Sequence, residues 1–122
     1  MFIRIETNCN VNLSSGDFTG LIYSVACAIN QPDSEVRAVF YPNVTTKEMS
    51  EVGGGKSRIM FFVQVTYNEL EISRKEYLLK EIENILSPKL KSIFQNFFKE
   101  RWLPDLVEVR FVRTDFRTSG ER

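Results

Sequence analysis

The chain contains no histidine among its 122 residues. That absence removes the commonest metal ligand and the commonest general base together, and with them zinc chemistry and Ser-His-Asp catalysis. Net charge is missing too. Sixteen Lys and Arg balance sixteen Asp and Glu, so no global field draws in nucleic acid or an anionic membrane. The only two cysteines, Cys9 and Cys27, form no CxxC pair. They are expected to be buried free thiols, Cys9 in a loop at a strand end and Cys27 on an apolar helix face. No apolar run approaches the roughly 20 residues of a membrane span, and no leader-like stretch precedes the first strand. The expectation is a soluble, cytoplasmic protein with neither a nucleic-acid nor a membrane partner.

What is present suits one compact domain over residues 1–122, since the chain is 43% hydrophobic and too short to divide into two cores. Phe2-Ile3-Arg4-Ile5-Glu6 alternates apolar and polar side chains, the period of a strand with two different faces. A helix should follow from Ser15 or Asp17, either of which can cap it, with Phe18, Leu21, Ile22, Val25, Ala26 and Ile29 on one face and Asn30 and Pro32 ending it. Glu35 to Tyr41 reads as a strand by its β-branched and aromatic content, closed by Pro42. Residues 43–57 form a polar connection ending in Gly53, Gly54 and Gly55. Ile59 to Thr66 is then apolar on both faces, as expected of a central strand covered twice.

Ser73 and Glu76 form a capping box for a second helix, which turns Leu78, Leu79, Ile82, Ile85 and Leu86 inward. Pro88 removes an amide and crowds the carbonyl of Asn84, so a kink or a restart capped by Ser87 is expected there. Leu90, Ile93, Phe94, Phe97 and Phe98 continue the apolar stripe as core, while Trp102 at the helix end is the candidate exception. Leu106 to Val112 is the last strand. The polar tail 114–122 is either solvated or docked on a neighbouring subunit.

Two β-α-β units of this kind predict an α+β domain, a four-stranded sheet with both helices on one face. The other face then collects Phe2, Arg4, Glu6, Arg37, Val39, Tyr41, Phe62, Gln64, Glu108 and Arg110. So mixed and so apolar a surface suggests cover by partner subunits. Gly55-Lys56-Ser57 imitates the end of a phosphate-binding loop, but Ser50 stands where that loop needs glycine and a strand follows instead of a helix. The glycines instead permit unusual backbone angles at the strand entry. Lys56 and Arg58 are candidate cations beside a pocket, with solvated side chains as the alternative.

Phe2 to Asn8 ending in Glu-Thr-Asn, Val36-Arg37 opening the second strand, Gly54-Gly55-Lys56 before the third, and Ser73-Arg74 heading a long amphipathic helix together resemble the tautomerase superfamily. The likeness is greatest to the 5-carboxymethyl-2-hydroxymuconate isomerase family and next to the macrophage migration inhibitory factor family, and it spans nearly the whole chain. It implies a homotrimer whose sheets enclose a central barrel, active sites near subunit boundaries, no cofactor, and a proton shift on a small carboxylated enol or dienol. In that family an amino-terminal proline is the base. Met1 stands in its place here, followed by Phe2, whose bulk discourages methionine removal. The resemblance therefore assigns catalysis to the Met1 amine and substrate binding to Arg37, Arg58 and Phe2. A guanidinium such as that of Arg37 suits a carboxylate because its planar donors bind it bidentately. An ion pair of Arg37 with Glu6 or Glu108 is the plainer reading. A second arginine of the family has no counterpart, because Asn68 to Ile72 is acidic. Two functions follow: an isomerase that uses the Met1 amine, or a catalytically silent trimeric binding or structural protein that keeps the fold without the proline.

Overall fold

The computed structural model describes residues 1–44, 60–68, 75–95 and 106–114. In chain order these form β1 (Phe2–Thr7), α1 (Ser15–Ile29), a 3₁₀ turn (Asp33–Glu35), β2 (Arg37–Tyr41), β3 (Met60–Tyr67), α2 (Lys75–Gln95) and β4 (Leu106–Arg113). The strands make one sheet in the order β2-β1-β3-β4. β1 runs parallel to β2 and antiparallel to β3, and β3 runs parallel to β4. Each parallel pair is bridged by one helix, the connection such a pair requires. The predicted α+β domain, with its two β-α-β units, is the fold.

α1 begins at Ser15, as expected, but its cap lies one residue before that start. Ser14 is the cap residue: its Oγ accepts from the Asp17 amide at 3.1 Å, and the Asp17 carboxylate accepts from the Ser14 amide at 3.2 Å. This reciprocal box satisfies two orphan donors of the first turn. The helix ends where predicted. Asn30 takes the left-handed conformation (φ 57°, ψ 47°), and the Gln31 amide returns to the Ala26 carbonyl at 3.0 Å. β2 opens at Arg37 rather than at Glu35, because Pro32 sets up the 3₁₀ turn and the Val36 amide donates to the Asp33 carbonyl at 3.0 Å. α2 neither stops nor restarts at Pro88 but runs as one helix from Lys75 to Gln95. Ile82, Leu86 and Leu90 on its inner face are fully buried, and that anchoring on both sides of the proline outweighs the missing amide bond. Ser73, Phe97, Phe98 and Trp102 lie outside the described residues.

The core lies between the sheet and both helices. Ile3, Ile5, Phe61, Val63 and Val65 meet Leu21, Val25, Ala26, Ile29, Ile82, Leu86 and Leu90, with Ala38, Phe40, Val107, Val109 and Phe111 packed at its margins. β3 is central, as expected, but the described residues cover it on one face only: Phe61, Val63 and Val65 are buried, Phe62 and Thr66 are half-buried, and Gln64 is exposed. Cys27 also departs from expectation. It is exposed, and Cys9 is half-buried, because the buried arc of α1 passes through Val25, Ala26 and Ile29 and turns Cys27 outward. Thr7, fully buried, donates to the Met60 carbonyl at 2.8 Å, while the Asn8 side chain accepts from the Met60 amide at 3.1 Å. The Thr-Asn pair thus secures the entry of β3 against the exit of β1.

Candidate functional site

Strand register arranges the open face in rows. One row reads Tyr41, Glu6, Phe62, Glu108; the next Val39, Arg4, Gln64, Arg110; the last Arg37, Phe2, Thr66, Val112. In the first two rows the charges pair along each strand, where residues two apart share a face. Arg4 Nε donates to Glu6 at 2.9 Å, and Arg110 Nε to Glu108 at 2.9 Å. Arg4 also lies over the Tyr41 ring at 5.2 Å, and Arg110 over Phe62 at 5.8 Å. Both guanidinium side chains stay about half exposed, at 51%, so each ion pair is worth about 0 to 1 kcal/mol. Arg4, Glu6, Phe62, Glu108 and Arg110, together with Gln64, line a cavity of about 210 Å³ on the open face.

The last row borders a larger cleft. Because β1 and β3 are antiparallel, the start of β1 lies beside the end of β3, and β2 begins there as well. The cleft has a volume of about 460 Å³ and is lined by Met1, Phe2, Ser34, Glu35, Arg37, Thr66, Tyr67, Asn68 and Thr114. Two backbone bonds fix the first residue in it. The Met1 amine donates to the Glu35 carbonyl at 2.9 Å, and the Arg37 amide donates to the Met1 carbonyl at 3.0 Å. Val36, between those two partners, is 3% exposed and anchored in the core. The opposite wall is tied down by Thr114, whose amide and hydroxyl both donate to the Tyr67 carbonyl, at 2.9 and 3.3 Å.

Three of the four predicted site residues, Met1, Phe2 and Arg37, therefore meet in one cleft. The fourth, Arg58, lies outside the described residues, as does Lys56. The ion pair foreseen for Arg37 does not form: Glu6 and Glu108 are engaged by Arg4 and Arg110. Ser34, Asn68 and Thr114 carry no sequence signal as lining residues. Their convergence depends on strand order and register, although the position of Asn68 just past an apolar run marks it as a strand-end residue. Among the described residues no three His, Cys, Asp or Glu side chains come together as a metal site, and no helix is long and apolar enough to cross a membrane.

No family model and no curated protein sequence matches the chain. Solved structures do. Macrophage migration inhibitory factor from Toxoplasma gondii superposes with a TM-score of 0.63 at 16% identity, over 100% of this chain and 98% of that one. The same factor from Trichinella spiralis gives 0.61 at 17% identity, over 98% and 95%. The chain has the tautomerase fold. A fused 4-OT, described as a symmetric trimer, shares that tautomerase fold at a TM-score of 0.61 and 15% identity, over 95% and 85%. At such identities the shared tautomerase fold is what the likeness carries, and function has to be argued from the cleft.

Proposed function

We propose that the chain is an isomerase of tautomerase type that shifts a proton on a small carboxylated enol or dienol, working as a cytoplasmic homotrimer without a cofactor. The observation that carries this reading is the presence of the Met1 amine and Arg37 in one cleft at the end of the sheet. An unprotonated amine takes a proton from one position of the substrate and returns it at another, which is general acid-base catalysis by a single group. Arg37 binds the carboxylate and so holds the conjugated chain against the amine. Phe2, 38% exposed in the same row, offers an apolar wall for that chain. Arg58 is assigned a second contact to the substrate. The trimer is supported by the exposed Phe2, Tyr41 and Val112 of the open face, and by the symmetric trimer described for the fused 4-OT.

Steady-state kinetics on a panel of enol carboxylates test the reading. Turnover is expected, and Arg37→Ala should raise KM about tenfold or more, the worth of a charge-assisted hydrogen bond. Identical kinetics in the variant would remove Arg37 from the site. A second reading is favoured by the bond from the amine to Glu35: the terminus is then an anchor that ties β1 to the 3₁₀ turn, and the protein is a silent trimeric binding or structural protein. No turnover across the panel, with the trimer intact, selects it.

A further inference from the structure

We propose that the cavity on the open face binds a small zwitterion, a free α-amino acid, between the two ion pairs that flank β3. The cavity shares no lining residue with the cleft at Met1, so the proposal goes beyond the isomerase reading and does not depend on it. Its walls are Arg4 and Glu6 on β1 and Glu108 and Arg110 on β4, and its floor is Phe62 and Gln64 of β3. All of them belong to one chain, so the site is complete in each copy.

Register sets the two ion pairs side by side in the same sense. Arg4 and Arg110 share one row across Gln64, and Glu6 and Glu108 share the next across Phe62. Their strands are two strand spacings apart, about 9 to 10 Å, with an uncharged strand between them. Two parallel dipoles side by side repel, and a third of opposite sense placed between them attracts both. A zwitterion is such a dipole: its carboxylate belongs over Gln64, between the arginines, and its ammonium over Phe62, between the glutamates. Because the walls carry two cations and two anions, a ligand of net charge zero leaves the cavity balanced, which an amine or a carboxylate alone does not.

The lining groups have the bonding capacity for both ends. Nε and one Nη of Arg4 lie 2.9 and 2.8 Å from Glu6 Oε2, and a guanidinium carries five N–H groups, so others are left for a carboxylate. Gln64, exposed at the same end, adds its carboxamide N–H groups. The bonds to Glu6 and to Glu108 both end on Oε2, and Oε1 of each has lone pairs for an ammonium. The length of the ligand follows from the ion pairs. Each holds its opposite charges in contact, so the matching dipole is a short one, with both charged groups on a single carbon. About 210 Å³ admits an amino acid with a small side chain and is less than a drug-sized ligand needs.

The full chain, labelled with heavy nitrogen, is titrated with L-alanine and followed by NMR. Shifts should centre on the Gln64 side-chain amide and on the Nε–H groups of Arg4 and Arg110. The expected Kd is about 1 mM, the affinity of a few charge-assisted hydrogen bonds after the cost of immobilising the ligand. N-acetyl-L-alanine lacks the ammonium, L-alanine methyl ester lacks the carboxylate, and γ-aminobutyrate holds its charges farther apart, so each should bind about tenfold more weakly. Arg4→Gln and Glu6→Gln should weaken alanine binding to the same degree, with circular dichroism unchanged, and Arg37→Ala should bind it as the native chain does. Equal binding of alanine and its N-acetyl or ester form would overturn the proposal, as would binding that survives both β1 variants or a lack of shifts at the lining residues. Binding lost in Arg37→Ala but kept in Arg4→Gln assigns the amino acid to the Met1 cleft and overturns it too.

Discussion

At the scale of single residues, two positions on α1 and β2 behave unlike their neighbours of the same type. Cys27 faces outward, and its side chain is the hydrogen-bond partner that raises the pKa of the Tyr23 hydroxyl above the ordinary tyrosine range, with the Cys27 charge and Asp33 acting in the same sense. The bond is made to the protonated phenol, so removing it makes the proton easier to lose. Spectrophotometric titration of Cys27→Ala should bring this tyrosine back down toward its usual pKa; an unchanged titration curve would mean that Cys27 does not act on it. Arg37 is the other case. Its type and its place at a strand start are visible in the sequence, but the absence of an ion pair with Glu6 or Glu108 is not. That outcome follows because Arg4 and Arg110 each sit two residues from a glutamate on the same strand face and engage it first.

Among the elements, α2 carries the clearest conflict between local preference and tertiary support. Pro88 is exposed within a helix of 21 residues, and it withholds the amide that would bond to the Asn84 carbonyl. The helix persists because Ile82, Leu86 and Leu90 are buried on the opposite side. Pro88→Ala restores the bond and removes a poor helix former, so it should raise stability to urea by about 1 to 3 kcal/mol. A loss of stability would show that the proline ring contributes packing that its exposure does not suggest. The elements themselves were legible: α1 from its apolar face and Asn30, β1 from its alternation, β3 and β4 from their β-branched and aromatic content. Their ends were less so. Ser14, Ser15 and Asp17 compose one short run of capping residues, and only the reciprocal bonds of Ser14 and Asp17 identify which of them caps.

For the whole molecule, the open face of the sheet is where the proposed trimer is put to the test. Phe62 occupies its centre on β3, flanked in register by Glu6 and Glu108, and is half-buried beneath Arg110. If copies of the chain cover this face, Phe62→Asp places a third carboxylate in one row and desolvates it on association, a cost of several kcal/mol. Light scattering at micromolar concentration should then report a trimer for the native chain and a monomer for the variant, with the circular dichroism unchanged. A monomeric native protein would remove the proposed trimer and leave the open face without its proposed cover.

The sequence by itself determined the α+β class, the two β-α-β units and the inward faces of β1, β4 and the two described helices, because side-chain periodicity of two or 3.6 states which residues must leave water together. It also singled out Met1 by its place at the head of the first strand, and Phe2 and Arg37 through a resemblance. Only the tertiary structure decided that these three share a cleft with Ser34, Asn68 and Thr114. That meeting depends on the order β2-β1-β3-β4 and on the antiparallel register of β1 with β3. Order and register are set by how the whole buried face packs beneath two helices, and no single segment of the chain contains that information.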